Sequence, residues 1–282
     1  MEVSPVAIVT DSTWDLPPSL AVENGIVVVP LLVAIEGVTY RDGELTPEVF
    51  FQRMGASKAL PTTSQPPVGA FVEAYAKALE TAAEVVSIHI SSKLSGTIES
   101  ALQAAGQFGG RVHVFDSLNL SGGLGMQVLE AARAAARGVS VEEVLRVAES
   151  ARDRVRMIVG LDKLDNLAKG GRIGAVSAFL GGLLNLKVTF TVDAEGRFEP
   201  VARTRGNAAA MEHTITWVRE KMGEKGRGAI CVLHAQSEAK ALVLRDRLQE
   251  LLDVTEMTVS EVGVVIATHT GTGWGVAVLP QE

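Results

Sequence analysis

The sequence predicts an α/β chain built as two units. From residue 6 to about residue 115, short β-branched runs alternate with amphipathic stretches, the pattern of a mainly parallel sheet covered by helices. The turns that follow these runs are rich in Ser, Asp and Gly, and an open α/β sheet binds ligands in the loops at its strand ends. Beyond about Arg156 the texture changes to a hairpin-like pair of apolar runs followed by renewed strand–helix alternation. A smaller C-terminal α/β unit is therefore expected. The boundary falls near 154–160, giving units of 1–158 and 159–282.

Val6-Ala7-Ile8-Val9-Thr10 reads as the first strand and runs into Asp11-Ser12-Thr13. Pro17-Pro18 opens a short helix, because proline's fixed φ suits a first helical turn, and Asn24-Gly25 closes it. Ile26 to Ile35 is β-rich but interrupted by Pro30, which has no N–H for a ladder; it is an edge strand or two strand pieces. Glu36-Gly37 turns this run into Val38-Thr39-Tyr40, and Thr46-Pro47-Glu48 opens a helix that fades by Gly55. Prolines hold Leu60 to Pro67 extended, presenting Thr63, Ser64 and Gln65, and a helix follows from Val68 to about Thr81. Val85 to Ile90 is a buried strand, Ser91 to Thr97 a turn, and Ile98 to Ala105 a helix ending near Gly109-Gly110. The strand Arg111 to Phe115 ends in Asp116-Ser117, an echo of Asp11-Ser12. A long helix runs from Gly122-Gly123 to Gly138, and Ser140-Val141-Glu142-Glu143 is a capping box for the next one.

In the second unit, Met157-Ile158-Val159 is a short strand. Leu161 to Ala168 reads as a helix with Leu161, Leu164 and Leu167 on one face, followed by the Gly-rich break Lys169 to Gly174. Leu186–Val192 and Arg197–Arg203 form a hairpin about Asp193-Ala194-Glu195-Gly196. Helices at 207–222 and 237–251 alternate with strands at 229–233 and 254–259. Val264 to Thr268 reads as a β-branched strand leading into His269-Thr270-Gly271-Thr272-Gly273, and Trp274 to Leu279 closes the chain.

Composition narrows the function. With 47% hydrophobic and 21% charged residues, the 282-residue chain is that of a globular protein with ample core. A net charge of -7 without a basic stripe argues against nucleic acid as a partner. The single Cys231 rules out an intramolecular disulfide framework, and no signal peptide is evident, so the cytoplasm is the expected compartment. The apolar stretch 118–136 is interrupted by Asn119, Gln127, Glu130 and Arg133, so no stable membrane insertion is expected.

The turn Ser91-Ser92-Lys93-Leu94-Ser95-Gly96-Thr97 carries the most chemistry. A helix amino end offers unpaired N–H groups and partial positive charge to an anion. The hydroxyls of Ser91, Ser92, Ser95 and Thr97 add further hydrogen-bonding arms, and helix capping by Ser95 or Thr97 accounts for the same residues. His269, flanked by tight glycine-containing backbone, is a donor to an anion, a base or a structural side chain. Lys169-Gly170-Gly171-Arg172 sets two cations around a flexible turn without P-loop spacing. There is no Gly-x-Ser-x-Gly elbow, and the five His residues lack ligand spacing, so neither a metal nor a cofactor is expected.

Taken together and in order, several segments resemble the DegV family, which includes the fatty-acid-binding subunits of bacterial fatty acid kinase. They are Pro61-Thr62-Thr63-Ser64-Gln65-Pro66-Pro67, the Ser91–Thr97 turn, Asp116-Ser117, Leu167-Ala168-Lys169-Gly170-Gly171-Arg172-Ile173 and His269-Thr270-Gly271. Each is weak alone; the ordered set covers the chain from Val6 to Leu279.

The resemblance implies two α/β domains, the first Rossmann-like, with one long-chain, palmitate-like fatty acid between or within them. It implies that Thr63 and Ser95 hold the carboxylate, with His269 in the same network. Arg172 and Arg203 are implied in productive contact with a separate kinase, which forms an acyl phosphate for phospholipid synthesis. The chain itself would then be a carrier without catalytic activity. The segment Ala178 to Leu184 is a candidate wall of the acyl pocket, or ordinary core. The sequence departs from the family pattern at Asn185-Leu186-Lys187-Val188-Thr189 and at Gly271-Thr272-Gly273, which bears on loop shape and chain-length preference. The rival reading is a lipid hydrolase with Ser95 as nucleophile and His269 as base.

Overall fold

The computed structural model describes residues 4–57, 59–179, 186–224 and 226–281. β1 (Ser4–Asp11) leads through a 3-10 turn (Ser12–Trp14) into α1 (Pro18–Glu23) and β2 (Val27–Val29), which pairs in parallel with β1. Pro30 stops that ladder and the chain changes sheets. β3 (Leu32–Ile35) and β4 (Val38–Arg41) make an antiparallel hairpin through Glu36 and Gly37, both at positive φ. Thr46 caps α2 (Pro47–Ala56) by accepting from the Val49 amide. β5 (Thr62–Ser64) then returns along the other edge of β3, so the proline-held segment is a short strand as well as a loop. α3 (Val68–Ala78), β6 (Ala82–His89), α4 (Thr97–Ala105), β7 (Val112–Asp116), α5 (Ser121–Ala136) and α6 (Val141–Arg154) complete this half. Its main sheet is fully parallel in the order β2-β1-β6-β7, as the strand–helix alternation predicts.

β8 (Arg156–Leu161) begins a separate mixed sheet. α7 (Asp165–Lys169), a 3-10 turn (Gly174–Phe179) and the β9 (Leu186–Val192)–β10 (Phe198–Arg205) hairpin follow. α8 (Gly206–Met222), β11 (Arg227–Ala235), α9 (Glu238–Leu251), β12 (Asp253–Glu261), α10 (Val264–Thr270) and β13 (Gly273–Pro280) close the chain. The strand order is β10-β9-β8-β13-β11-β12, and β11–β12 is its parallel pair.

Two local readings are corrected. Leu161 belongs to β8, and the helix after it is a single turn, because Asp162 is held by Lys240 and Thr272 before the chain can coil. Val264 to Thr268 is helical rather than extended. These β-branched residues are buried and their first amides are bonded by side chains from the other half, so tertiary contacts override strand propensity.

α5 sits between the parallel and the mixed sheets. A β-carbon at Gly122 would come within 2.8 Å of Leu233 Cδ1, so glycine here sets how closely helix and sheet approach. One apolar cluster therefore runs from Val6 and Ile88 through Leu124 to Val159, Leu233 and Val265, joining both halves. A second, around Trp217 and Trp274, lies on the other face of the mixed sheet.

Candidate functional site

The Ser-rich turn is fixed from both flanks by strand-end carboxylates. Asp11 Oδ2 accepts from the Ile90 amide at 3.0 Å. Asp116 accepts from the amides of Ser92 at 3.3 Å and Leu118 at 2.9 Å. The two Asp-Ser echoes thus hold loops rather than face a ligand. Ser91 is fully buried and donates to the Gly196 carbonyl at the tip of the β9–β10 hairpin, 2.8 Å away. Ser95 Oγ lies 2.8 Å from Thr97 Oγ1 and accepts from the Thr97 amide at 3.3 Å. Ser95 therefore contributes to the start of α4 while remaining only half-buried.

Thr63 stands on β5 opposite Val33, and its Oγ1 is 2.7 Å from Nε2 of His269 on α10. The imidazole packs against Gly170, where a β-carbon would come within 2.4 Å of His269 Nδ1. Burial, and then the positive charge of Arg172, pull the His269 pKa down to about 4. The ring is neutral at neutral pH, and Nδ1 is buried with no hydrogen-bond partner. Arg172, beyond α7, is exposed and donates to the carbonyls of Gly170 at 2.7 Å and Leu94 at 3.4 Å.

Thr63, Ser95, Arg172 and His269 line one cavity of about 200 Å³. Arg203, exposed on β10 opposite Val188, is not among the side chains lining it. A narrower cavity of about 30 Å³, walled by Met157, Val159, Phe190 and Leu233, lies alongside. The two share Leu120, Phe198, Ile266 and Thr270. A chamber that sets these polar side chains among apolar walls thus adjoins a wholly apolar slot, with Phe198 at the junction, edge-on to Phe190 at 5.0 Å. The candidate wall from Ala178 to Leu184 lies, from Leu180 on, outside the described residues.

The sequence model of the DegV family of uncharacterised proteins matches residues 5–281. The chain belongs to the DegV family. A DegV domain-containing protein of Deinococcus radiodurans is 41% identical over 278 residues, which is 98% of each chain. Among solved structures, a fatty-acid-binding DegV family protein from Thermus thermophilus is 42% identical, with a TM-score of 0.94 over 98% of this chain and 100% of that one. A DegV lipid-binding protein from Thermotoga maritima is 33% identical, with a TM-score of 0.87 over 99% and 100%.

This DegV chain also holds a Ser–His–Asp relay that the sequence reading missed. His89 Nδ1 is 3.0 Å from Asp11 Oδ2, and His89 Nε2 is 2.6 Å from Ser87 Oγ, which in turn accepts from Tyr75 at 2.9 Å. All four side chains are fully buried and none lines the polar chamber or the apolar slot, so the relay braces strand ends rather than meeting substrate. Its signal was Ser87 and His89 on one strand face beside the carboxyl end of β1. Ser95 and His269, by contrast, share no hydrogen bond: Ser95 bonds Thr97 and His269 bonds Thr63. Among the described residues no group of three or more His, Cys, Asp or Glu could hold a metal ion. Among them, too, no helix is long and apolar enough to cross a membrane.

Proposed function

We propose that this chain binds one long-chain, palmitate-like fatty acid and presents its carboxylate to a separate, ATP-dependent fatty acid kinase in the cytoplasm. The acyl phosphate formed there would feed phospholipid synthesis. The observation that carries this reading is the polar chamber sharing walls with an apolar slot, in a family whose solved relatives include fatty-acid-binding proteins. Ser95 and Thr63 donate hydroxyl hydrogen bonds to the carboxylate. A proton on Nδ1 of neutral His269 would be a buried donor without a partner, so we assign it to Nε2, which then donates to Thr63 Oγ1 and leaves the Thr63 hydroxyl hydrogen to point at the ligand. Arg172 supplies positive charge at the chamber, offsetting part of the cost of desolvating the carboxylate. Burying the acyl chain contributes roughly 0.8 kcal/mol per CH₂. The slot is small, and Phe198, which lines both it and the chamber, stands where the chain would enter. Arg203, outside the chamber and exposed, is assigned with Arg172 to kinase contact.

The catalytic alternative requires a base bonded to the nucleophile, and here His269 is engaged by Thr63 instead. Native mass spectrometry of the purified protein, followed by denaturation and identification of what is released, tests the carrier reading. A stoichiometric long-chain fatty acid supports it. An empty protein that also fails to take up added fatty acid overturns it, and labelling of Ser95 by a serine-reactive phosphonate would favour the hydrolase. Ser95→Ala is expected to weaken fatty acid binding roughly tenfold, the effect of one lost hydrogen bond to a charged group. Unchanged ligand retention and phosphorylation in that variant would remove Ser95 from the head-group site.

A further inference from the structure

α10 is held at both ends, and the grip at its amino end is made by two carboxylates that the ligand site does not use. Asp15 is only 5% exposed; its Oδ1 accepts from the Gly263 amide at 2.8 Å and its Oδ2 accepts from the Ser121 hydroxyl. Asp42 Oδ1 accepts from the Val264 amide at 3.1 Å, while Asp42 Oδ2 is buried without a partner. Gly263 makes room for both: a β-carbon there would lie 3.0 Å from Asp42 Oδ2 and 3.3 Å from Asp15 Oδ1. Asp15 and Ser121, bonded to each other, both sit at positive φ (49° and 51°), a backbone state uncommon for non-glycine residues, though less so for Asp than for Ser.

Burial pushes the Asp42 carboxyl up to about 6 and the Asp15 carboxyl well above its ordinary range; the charge of Asp11 raises both, and that of Asp42 raises Asp15 further. Capping a helix does not require this, since Asn or Ser accepts from the same amides without a desolvated charge. What the two carboxylates do fix is the start of a helix of seven residues, about 10 Å long, whose far end carries His269 and Thr270 into the chamber. Along that length α10 also presents Val265 and Ile266 to the chamber.

We propose that Asp15 and Asp42 are positioning residues for the head-group chamber: by anchoring the amino end of α10 to the first half of the chain, they set where His269 stands against Thr63 and hence how tightly a carboxylate is held. The carboxylate part rests on the fatty acid reading above; the placement of His269 does not.

The test compares Asp42→Ala, which removes the acceptor, with Asp42→Asn, which keeps an oxygen for the Val264 amide. The His269 imidazole resonances of isotope-labelled protein and the palmitate dissociation constant are read for both. Asp42→Ala is expected to move the His269 resonances and to weaken palmitate binding several-fold, up to about tenfold where the whole of one lost hydrogen bond is felt at the chamber. Asp42→Asn is expected to restore both to near wild type. Ser121→Ala, which loosens Asp15 without removing it, moves His269 the same way by less and serves if Asp42→Ala does not fold. His269 resonances unmoved in a folded Asp42→Ala or Ser121→Ala variant overturn the proposal, as does failure of Asp42→Asn to restore them. If the wild type takes up no palmitate while His269 still follows Asp42, the ligand reading fails and the positioning role stands.

Discussion

His269 is neutral because it is buried and because Arg172 stands beside it, and neutrality decides its chemistry. A protonated ring would pair with a carboxylate directly; a neutral one shares a single hydrogen bond with Thr63. Asp42, at the other end of the same helix, is perturbed in the opposite sense for its type of group. Its pKa of about 6 lies above the ordinary 3.8, so between those values the folded chain binds more protons than the unfolded chain. The stability tied to its protonated form is thus fully present at low pH and is lost as pH rises through about 6. Asp42→Asn keeps the acceptor and abolishes this loss. Thermal melts should therefore show the variant above wild type at pH 8, with the gap closing towards pH 4; a constant gap would show that Asp42 is not the titrating group. At this scale the lining of the chamber was partly legible. Hydroxyls, a guanidinium and an imidazole in Pro- or Gly-bounded segments mark the stretches, the resemblance to the DegV family singles out Thr63, Ser95, Arg172 and His269 within them, and the fold brings those four to one cavity. Asp15 and Asp42 could not, because their partners Gly263 and Val264 lie more than 200 residues away and nothing local marks them.

Elements were legible where local pattern and tertiary contact agree. The parallel strands, the Asn24-Gly25 stop, the Ser140 cap and the β9–β10 hairpin all follow from local sequence. The β-branched residues of α10 locally favour a strand; its amino-end anchors and its burial, which make it a helix, are non-local. The hairpin illustrates what local pattern conceals. Asp193 Oδ1 accepts from the amides of Glu195 and Arg197, both at 2.9 Å, which shapes the turn. The tip then reaches the first half of the chain, where Gly196 receives the Ser91 hydroxyl. Gly196 sits at φ +82°, and a β-carbon would come within 2.2 Å of Ser91 Oγ. Gly196→Ala should therefore cost about 1–3 kcal/mol, from backbone strain together with a displaced buried hydrogen bond. Because Ser91 also accepts from the Lys93 amide, the same change should disturb the Ser95 turn and weaken palmitate binding. Urea melts and a binding isotherm check both effects. A stable variant with unaltered affinity would mean that the hairpin tip rests on the turn without shaping it.

At the scale of the molecule, the chain reads as two units while its main core reads as one. The apolar cluster that includes Trp14 and Ile88 also includes Val159, Phe198, Leu233 and Val265, so neither half can open without exposing side chains of the other. Trp14 lies in that shared cluster, whereas Trp217 and Trp274 lie in the cluster beneath α8 and α9. Tryptophan therefore reports on both regions separately. If the shared core couples them, Trp217→Phe with Trp274→Phe, and Trp14→Phe, should give fluorescence melts with the same midpoint, coincident with loss of helix by circular dichroism. Palmitate bound in the proposed chamber, against residues of both halves, should then raise both midpoints together. At a hundredfold excess over its dissociation constant a ligand adds about 2.7 kcal/mol, and at roughly 2–4 °C per kcal/mol for a chain of this size the expected rise is about 5–10 °C. Separate midpoints, or a rise confined to one reporter, would show that the halves fold as independent units and that the ligand is held by one of them. A common rise is what one cooperative unit gives, and it agrees with a chamber that draws Thr63 and Ser95 from one half and Arg172 and His269 from the other.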